Sequence, residues 1–321
     1  MKAVVCTRYG PPEVLHIQDV EKPSPNDVQV LVRVHAASLN PAEAHMRKSK
    51  LIGRIILGTG LVRPKNPIIG ADFAGQVEAV GRNVTGLKPG DQVFGRKSQG
   101  GFAEYVCVTE KPIGLKPANI SFEQASAVPV AAITALQSLR DRGQVQPGQK
   151  VLIHGAAGGV GTFAVQIAKA FGADVTGVCS SKNLKLVRSL GADRVIDYTR
   201  DDFTRNGQQY DVIIDNVGNR SLADCLRALN PNGICVGIGY TSMSLVLQHF
   251  VLGRFVKTEN KKIGGMLARI TKEDLTVLKE MMEKGQVVPF VEKCYPLNQV
   301  SEAYRYLETK HASGKLVVTF E

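Results

Sequence analysis

A short apolar run, Lys150-Val151-Leu152-Ile153-His154, ends in Gly155-Ala156-Ala157-Gly158-Gly159-Val160-Gly161, and an apolar-periodic segment from Thr162 to Phe171 follows at once. Strand, tight turn and helix in that order form an anion cradle. Small residues let the turn backbone approach a pyrophosphate, and the helix N-terminus presents free N–H groups and the positive end of its dipole. Ala156 stands where the simplest G-x-G-x-x-G pattern has its first glycine, while Gly158 and Gly161 keep theirs. The candidate phosphate-binding residues are Gly155, Ala157, Gly158, Gly159, Val160 and Gly161.

Glycine turns are common between any strand and helix, so the flanking pattern matters. A second strand-like run, Asp174 to Cys179, ends about twenty residues on, where ribose recognition is expected. Further strand-like runs follow at Val195 to Asp197, Val212 to Asp215 and Gly233 to Ile238, separated by helical patterns. Such alternation predicts a doubly wound parallel sheet. The second run leads into Cys179-Ser180-Ser181-Lys182-Asn183, with no acid among them. An acid there would serve the ribose 2′-OH of NAD(H); hydroxyls and an ammonium suit a 2′-phosphate. Ser180, Ser181 and Lys182, with Tyr198 after the third strand, therefore predict NADP(H) as cofactor.

The elements that must position this cradle divide the chain. The first third is β-rich, with strands predicted at Lys2 to Cys6, Val28 to Ala36, Phe73 to Val80 and Glu104 to Val108, and with turns such as Pro23-Ser24-Pro25-Asn26-Asp27 between them. That spacing predicts a small barrel-like domain. From Phe122 to Leu139 two helical pieces flank Pro129, and after Lys284 the pattern reads as extended again. The expected class is α/β, with residues 1–122 and 285–321 forming a catalytic β domain, residues 123–284 a cofactor domain, and the active site between them.

Composition narrows the class of partner. The 321 residues carry a net charge of +11, yet no basic tail or aromatic–arginine interleaving marks a nucleic-acid platform. Arg47 to Lys65 and Leu245 to Lys262 mix bulky apolar residues with Lys and Arg, which leaves peripheral membrane contact as a lesser alternative; neither is uniformly apolar enough to span a bilayer. Six cysteines occur singly, without a C-x-x-C pair, and a strand pattern starts at Lys2 with no leader pattern before it. A reducing, cytoplasmic location is expected.

With these residues in view, the chain resembles the medium-chain dehydrogenase/reductase superfamily and, within it, the zinc-independent quinone oxidoreductases. The matching segments are Gly148-Gln149 through Gly161 with Gln166 and Lys169, Lys88 to Val93, Gly101 to Tyr105, and Leu190 to Asp193. The resemblance implies a GroES-like barrel domain, a Rossmann domain, and NADPH-dependent reduction of quinones or α,β-unsaturated carbonyls. It places Asn40 and Thr134 beside the nicotinamide, and Asn216, Val217, Gly237 and Gly239 along the cofactor. It also implies a homodimer formed through an edge strand of the Rossmann sheet, with Ile234 to Ile238 as the candidate. Zinc-dependent relatives carry a Cys after the early strand and Gly-His-Glu later. Here Ser38-Leu39-Asn40 and Gly70-Ala71-Asp72 stand in those places, so no metal is expected. His45, where related enzymes often have a tyrosine facing substrate, is a candidate proton donor. The alternatives are a 2-enoyl thioester reductase, whose acyl tail the apolar insertion from Leu51 to Val62 would accommodate, and an NADPH-binding protein of structural or RNA-associated role.

Overall fold

The structure, a computed structural model, describes residues 1–49, 60, 63–250 and 258–320, with the side chain of Phe250 left aside. Most of the Leu51 to Val62 insertion and the centre of the Leu245 to Lys262 segment lie outside the described residues. Along the chain the strands are β1 (Lys2–Cys6), β2 (Leu15–Asp19), β3 (Gln29–Ser38), β4 (Asp72–Val80), β5 (Gln92–Arg96), β6 (Tyr105–Thr109), β7 (Ile113–Leu115), β8 (Lys150–His154), β9 (Asp174–Cys179), β10 (Arg194–Asp197), β11 (Tyr210–Asp215), β12 (Leu229–Gly237), β13 (Lys262–Gly265), β14 (Val291–Pro296) and β15 (Lys315–Thr319).

Two compact units emerge, Met1–Val130 with Ile270–Lys284 and Pro289–Glu321, and Ala131–Arg269 with Gly285–Val288. These limits differ from those expected at 122/123 and 284/285. The helix Phe122–Ser126 packs on β3 and β4, and the helix Lys272–Glu283 packs on β7, so the apolar faces of both belong to the first unit.

In the first unit, β1 and β2 form an antiparallel pair. A second sheet runs β14-β15-β3-β4-β5-β7, with β6 also paired to β3. Long, bulged β3 is the hub because it pairs with β4, β6 and β15. Side chains from both sheets, among them Val4, Val32, Phe73, Val106 and Leu316, close over one core that also takes in Phe102, Tyr295 and Tyr304. The C-terminal return is less extended than its sequence suggested. The helix Val300–Glu308 lies between β14 and β15 and buries Val300, Ala303 and Tyr304. That is a 3-4 spacing of apolar residues, short enough to be lost among the flanking strand patterns.

In the second unit, six parallel strands run in the order β10-β9-β8-β11-β12-β13. β8 and β9 are buried over nearly their whole length, which is why they read as continuous apolar runs. The chain leaves β8 toward β9 and β10, then returns to β11 on the other side, so strand order reverses between β8 and β11. In doubly wound sheets that switch point is where ligands bind, beyond the carboxyl ends of the strands. One expectation is corrected here. Ile234 to Ile238 does not form the sheet edge, because β12 is paired on one side with β11 and on the other with β13. β13 is the outer strand, and its sequence, Lys-Ile-Gly-Gly, is too short and glycine-rich to have announced itself.

Candidate active site

Gly155 closes β8 in the left-handed region (φ +75), and its N–H and that of Ala156 both donate to Val178 O at 3.1 and 3.0 Å. The turn is thereby tied to the end of β9. The helix Gly159–Ala170 begins at N-cap Gly158, which offers no side-chain cap. Its first-turn amides therefore have no acceptor within the helix. Gly161 is required for packing, since a Cβ there would sit 2.1 Å from Gly155 O; at Gly158 a Cβ would meet nothing closer than that oxygen at 3.4 Å. The space over Gly158 is open, as a phosphate cradle needs.

The neighbouring strand ends complete this rim. His154 and Asp215 are cross-strand partners on β8 and β11. Their side chains, both buried, meet at 2.8 Å between Nδ1 and Oδ1. The same Asp215 oxygen accepts the N–H groups of Val217 and Gly218 at 3.0 and 2.9 Å. Burial alone would raise the Asp215 carboxyl, but the His154 hydrogen bond and charge, with those two amides, outweigh it and hold it below the ordinary aspartate range. Asn216 donates through both its backbone N and Nδ2 to His154 O, at 3.2 and 3.0 Å, leaving Oδ1 buried without a partner. Gly237 and Gly239 are accounted for by internal packing. A Cβ on the first would strike the Tyr240 hydroxyl at 2.2 Å, and one on the second Asn216 O at 2.2 Å. Thr134 is buried on the helix Pro129–Gln137.

At the tip of β9 the sequence reading needs a correction. Ser180, Ser181 and Lys182 do stand there, but an acid stands with them. Asp197, last residue of β10, pairs in register with Cys179. Its carboxylate accepts the Ser181 hydroxyl at 2.5 Å and the Thr199 hydroxyl and N–H at 2.7 and 3.0 Å. The acid was missed because it comes from the next strand. Tyr198 is half exposed, and its N–H donates to Cys179 O at 3.0 Å.

The first unit holds a different arrangement, built where β15, β3 and β4 lie side by side. Asp72 pairs with Ser38, as does Val317, so Lys315, two residues before Val317, faces Asn40, two residues beyond Ser38. Lys315 Nζ donates to Asn40 Oδ1 at 2.7 Å and to Leu39 O at 2.9 Å. Asn40 Nδ2 donates to Asp72 Oδ2 at 3.1 Å. An ammonium can only donate and a carboxylate only accept, so the amide is oriented without ambiguity. Asp72 Oδ2 also takes Val130 N–H at 3.3 Å and the Ser38 hydroxyl at 3.4 Å, and lies 3.9 Å from Lys315. Asn40 is itself the N-cap of the helix Pro41–Arg47, where Glu43 Oε2 accepts Asn40 N–H at 3.1 Å and the Tyr304 hydroxyl at 2.5 Å.

All these groups are buried. Burial pushes Glu43 and Asp72 up and Lys315 down, while the opposite charges of Asp72 and Lys315 resist the change in each other. Burial and the Glu43 carboxylate push Tyr304 up, so its hydroxyl stays a donor. His45, five residues after Asn40 on the same helix, is exposed. Sequence reasoning found Asn40 and missed Lys315, Asp72 as its partner, Glu43 and Tyr304. A surface hollow of about 470 Å³, lined by Glu292, Lys293, Tyr306 and neighbours, contains none of the candidate residues.

Two fits follow from these geometries. The open, uncapped glycine turn at the switch point, with the orphaned Asn216 acceptor beside it, suits a dinucleotide. The positions where zinc-dependent relatives carry ligands do not suit zinc, because the Asn40 amide and Asp72 carboxylate are already joined around an ammonium. Among the described residues no cluster of three His, Cys, Asp or Glu side chains could hold a metal ion.

A six-stranded 3-2-1-4-5-6 parallel sheet with this turn defines a dinucleotide-type dehydrogenase unit, joined in one chain to a β-rich unit. Comparison with known proteins agrees. Residues 26–118 match the alcohol dehydrogenase GroES-like domain, and residues 190–318 match the zinc-binding dehydrogenase family. The chain is 36% identical to the chloroplastic NADPH-dependent alkenal/one oxidoreductase of Arabidopsis thaliana, covering 99% of this chain and 79% of that protein. It is 32% identical to human quinone oxidoreductase, covering 99% and 97%. The solved quinone oxidoreductase of Coxiella burnetii superposes with a TM-score of 0.87 at 31% identity, covering 100% and 99%. The chain belongs to the medium-chain dehydrogenase/reductase superfamily and, within it, to the quinone oxidoreductases.

Proposed function

We propose that this chain reduces quinones or α,β-unsaturated carbonyl compounds with NADPH, by hydride transfer and without zinc. The observation that carries the reading is the closed Lys315–Asn40–Asp72 network, which presents an oriented amide where zinc-dependent relatives have ligands. All three similar proteins named above are alkenal/one or quinone oxidoreductases by name, one of them NADPH-dependent.

The cofactor, when bound, supplies the hydride. The uncapped first turn at Gly158 to Gly161 holds its pyrophosphate, with Gly155 and Ala157 shaping the turn. Within the second unit, Asn216, Val217, Gly237, Gly239 and Thr134 would line the cofactor; in the first unit, Asn40 is the polar group that would serve the reaction. Ser180, Ser181, Lys182 and Tyr198 surround the adenosine ribose, and Lys182 supplies the positive charge that favours a 2′-phosphate. Asn40 works as a rigid polar group because both ends of its amide are held, so no reorganisation is needed as charge develops on the substrate. His45 donates the proton that completes reduction. A homodimer and a cytoplasmic location are the natural setting. No helix among the described residues is long and apolar enough to cross a membrane.

NADPH oxidation, followed at the nicotinamide absorbance with quinones, short enones and 2-enoyl-CoA in parallel, tests this. Turnover of quinones or enones with chelator present supports it. Binding of NADPH without turnover of any acceptor overturns it, and turnover rising with acyl length moves the assignment to a 2-enoyl thioester reductase.

A further inference from the structure

We propose that Asp197 sets how strongly this chain discriminates between NADPH and NADH, by holding the Ser181 hydroxyl and placing a carboxylate beside the 2′ position of the adenosine ribose. The inference rests on the reading that the glycine turn binds a nicotinamide dinucleotide. Its geometry lies entirely within the second unit.

β9 and β10 run parallel and end together, so the residues just beyond Cys179 and the Asp197 carboxylate share one sheet end. That end is where the ribose of a dinucleotide held at the β8 turn must lie. A serine hydroxyl has a single proton, and that of Ser181 is committed to Asp197 Oδ2 at 2.5 Å. The Thr199 hydroxyl is committed likewise to Oδ1 at 2.7 Å, and the two hydroxyl oxygens lie 3.1 Å apart. What this cluster offers a ligand is therefore acceptor oxygens and negative charge. The hydrogen bonds from Ser181 and Thr199 hold the Asp197 carboxyl below its ordinary range, so it is ionised at neutral pH. Arg200, paired with it at 3.8 Å, is 83% exposed, so its screening of the charge is weak.

A ribose 2′-OH can donate into this cluster, whereas a 2′-phosphate, carrying nearly two negative charges, meets a like charge. Lys182 favours the phosphate and Asp197 opposes it, so the wild-type chain is a weak discriminator that accepts both dinucleotides. The acid that relatives using NAD place at the tip of the second strand is supplied here from the third.

The test is direct binding of NADPH and NADH to the full chain by calorimetry, without acceptor, for the wild type and for Asp197→Asn and Asp197→Ser. Two replacements guard against one of them disturbing the loop, and thermal melts confirm that each folds. Removing one like charge near the surface is expected to tighten NADPH binding about three- to tenfold while changing NADH binding less than about twofold. Ser181→Ala, which keeps the carboxylate, should leave the NADPH/NADH ratio within about twofold of the wild type. An unchanged NADPH/NADH ratio in both Asp197 variants, with both dinucleotides still binding, would overturn the proposal and leave the dinucleotide reading standing. Failure of the wild type to bind either dinucleotide would overturn both.

Discussion

Replacing Lys315 with methionine tests whether the buried network in the first unit is held by its central ammonium. Methionine nearly matches the lysine stem in length and apolar packing, so the change removes a charge and its hydrogen bonds rather than bulk. Lys315 is 4% exposed and Asp72 fully buried. The substitution leaves the Asp72 carboxylate buried without its ion-pair partner and takes the donor from both Asn40 Oδ1 and Leu39 O. Breaking one side of such a pair costs about 3–5 kcal/mol, most of it the penalty of the charge left behind. Adding Asp72→Asn to Lys315→Met removes that stranded charge. The double variant should therefore lose at least about 2 kcal/mol less than the sum of the two single losses. With no tryptophan in the chain, urea unfolding is best followed by far-ultraviolet circular dichroism. The loss should fall on the transition of the first unit and leave that of the second unchanged. kcat should fall more than KM rises, because a loosened Asn40 amide still permits binding. A Lys315→Met loss below about 1 kcal/mol, or strict additivity in the double variant, would refute the reasoning.

The glycine turn separates packing from ligand binding. Gly161→Ala forces a Cβ to 2.1 Å from Gly155 O and should destabilise the second unit by about 1–3 kcal/mol, read as a lower urea midpoint. Gly158→Ala has room in the folded chain and should leave the midpoint unchanged within about 0.5 kcal/mol while weakening NADPH binding in calorimetry at least tenfold. Asp215 is held below the ordinary aspartate range, so its ionised form stabilises the fold above an unfolded value of about 4, and that contribution disappears as pH falls through the lower folded value. The stability gap between wild type and Asp215→Asn should be wide at pH 7 and close below about pH 4 in urea titrations. His45→Gln, at an exposed helical position, should leave the melting temperature unchanged and lower kcat about tenfold or more; a kcat equal to wild type would exclude His45 as the proton donor.

Much of the second unit was legible because its signals are local. Each parallel strand is buried on both faces and so reads as an apolar run, and the β8 turn is a contiguous string of small residues. The first unit was legible as β-rich, with Lys2–Cys6 found at its observed limits. Short β7 was hidden by its length. The helix Val300–Glu308 was hidden by the extended segments around it.

The amino-acid order by itself marked out a candidate dinucleotide cradle and its place in the chain and, through the family resemblance, put Asn40 in the segment where zinc-dependent relatives carry a ligand. Only the tertiary structure decided what holds and what opposes those residues. Lys315 reaches Asn40 from 275 positions away, through the antiparallel register of β15 on β3. Asp197 reaches Ser181 through the parallel register of β10 on β9. A sequence records which groups can donate, accept or carry charge, but strand pairing brings distant positions to within 3 Å, and at that range burial and opposite charge decide what each group does.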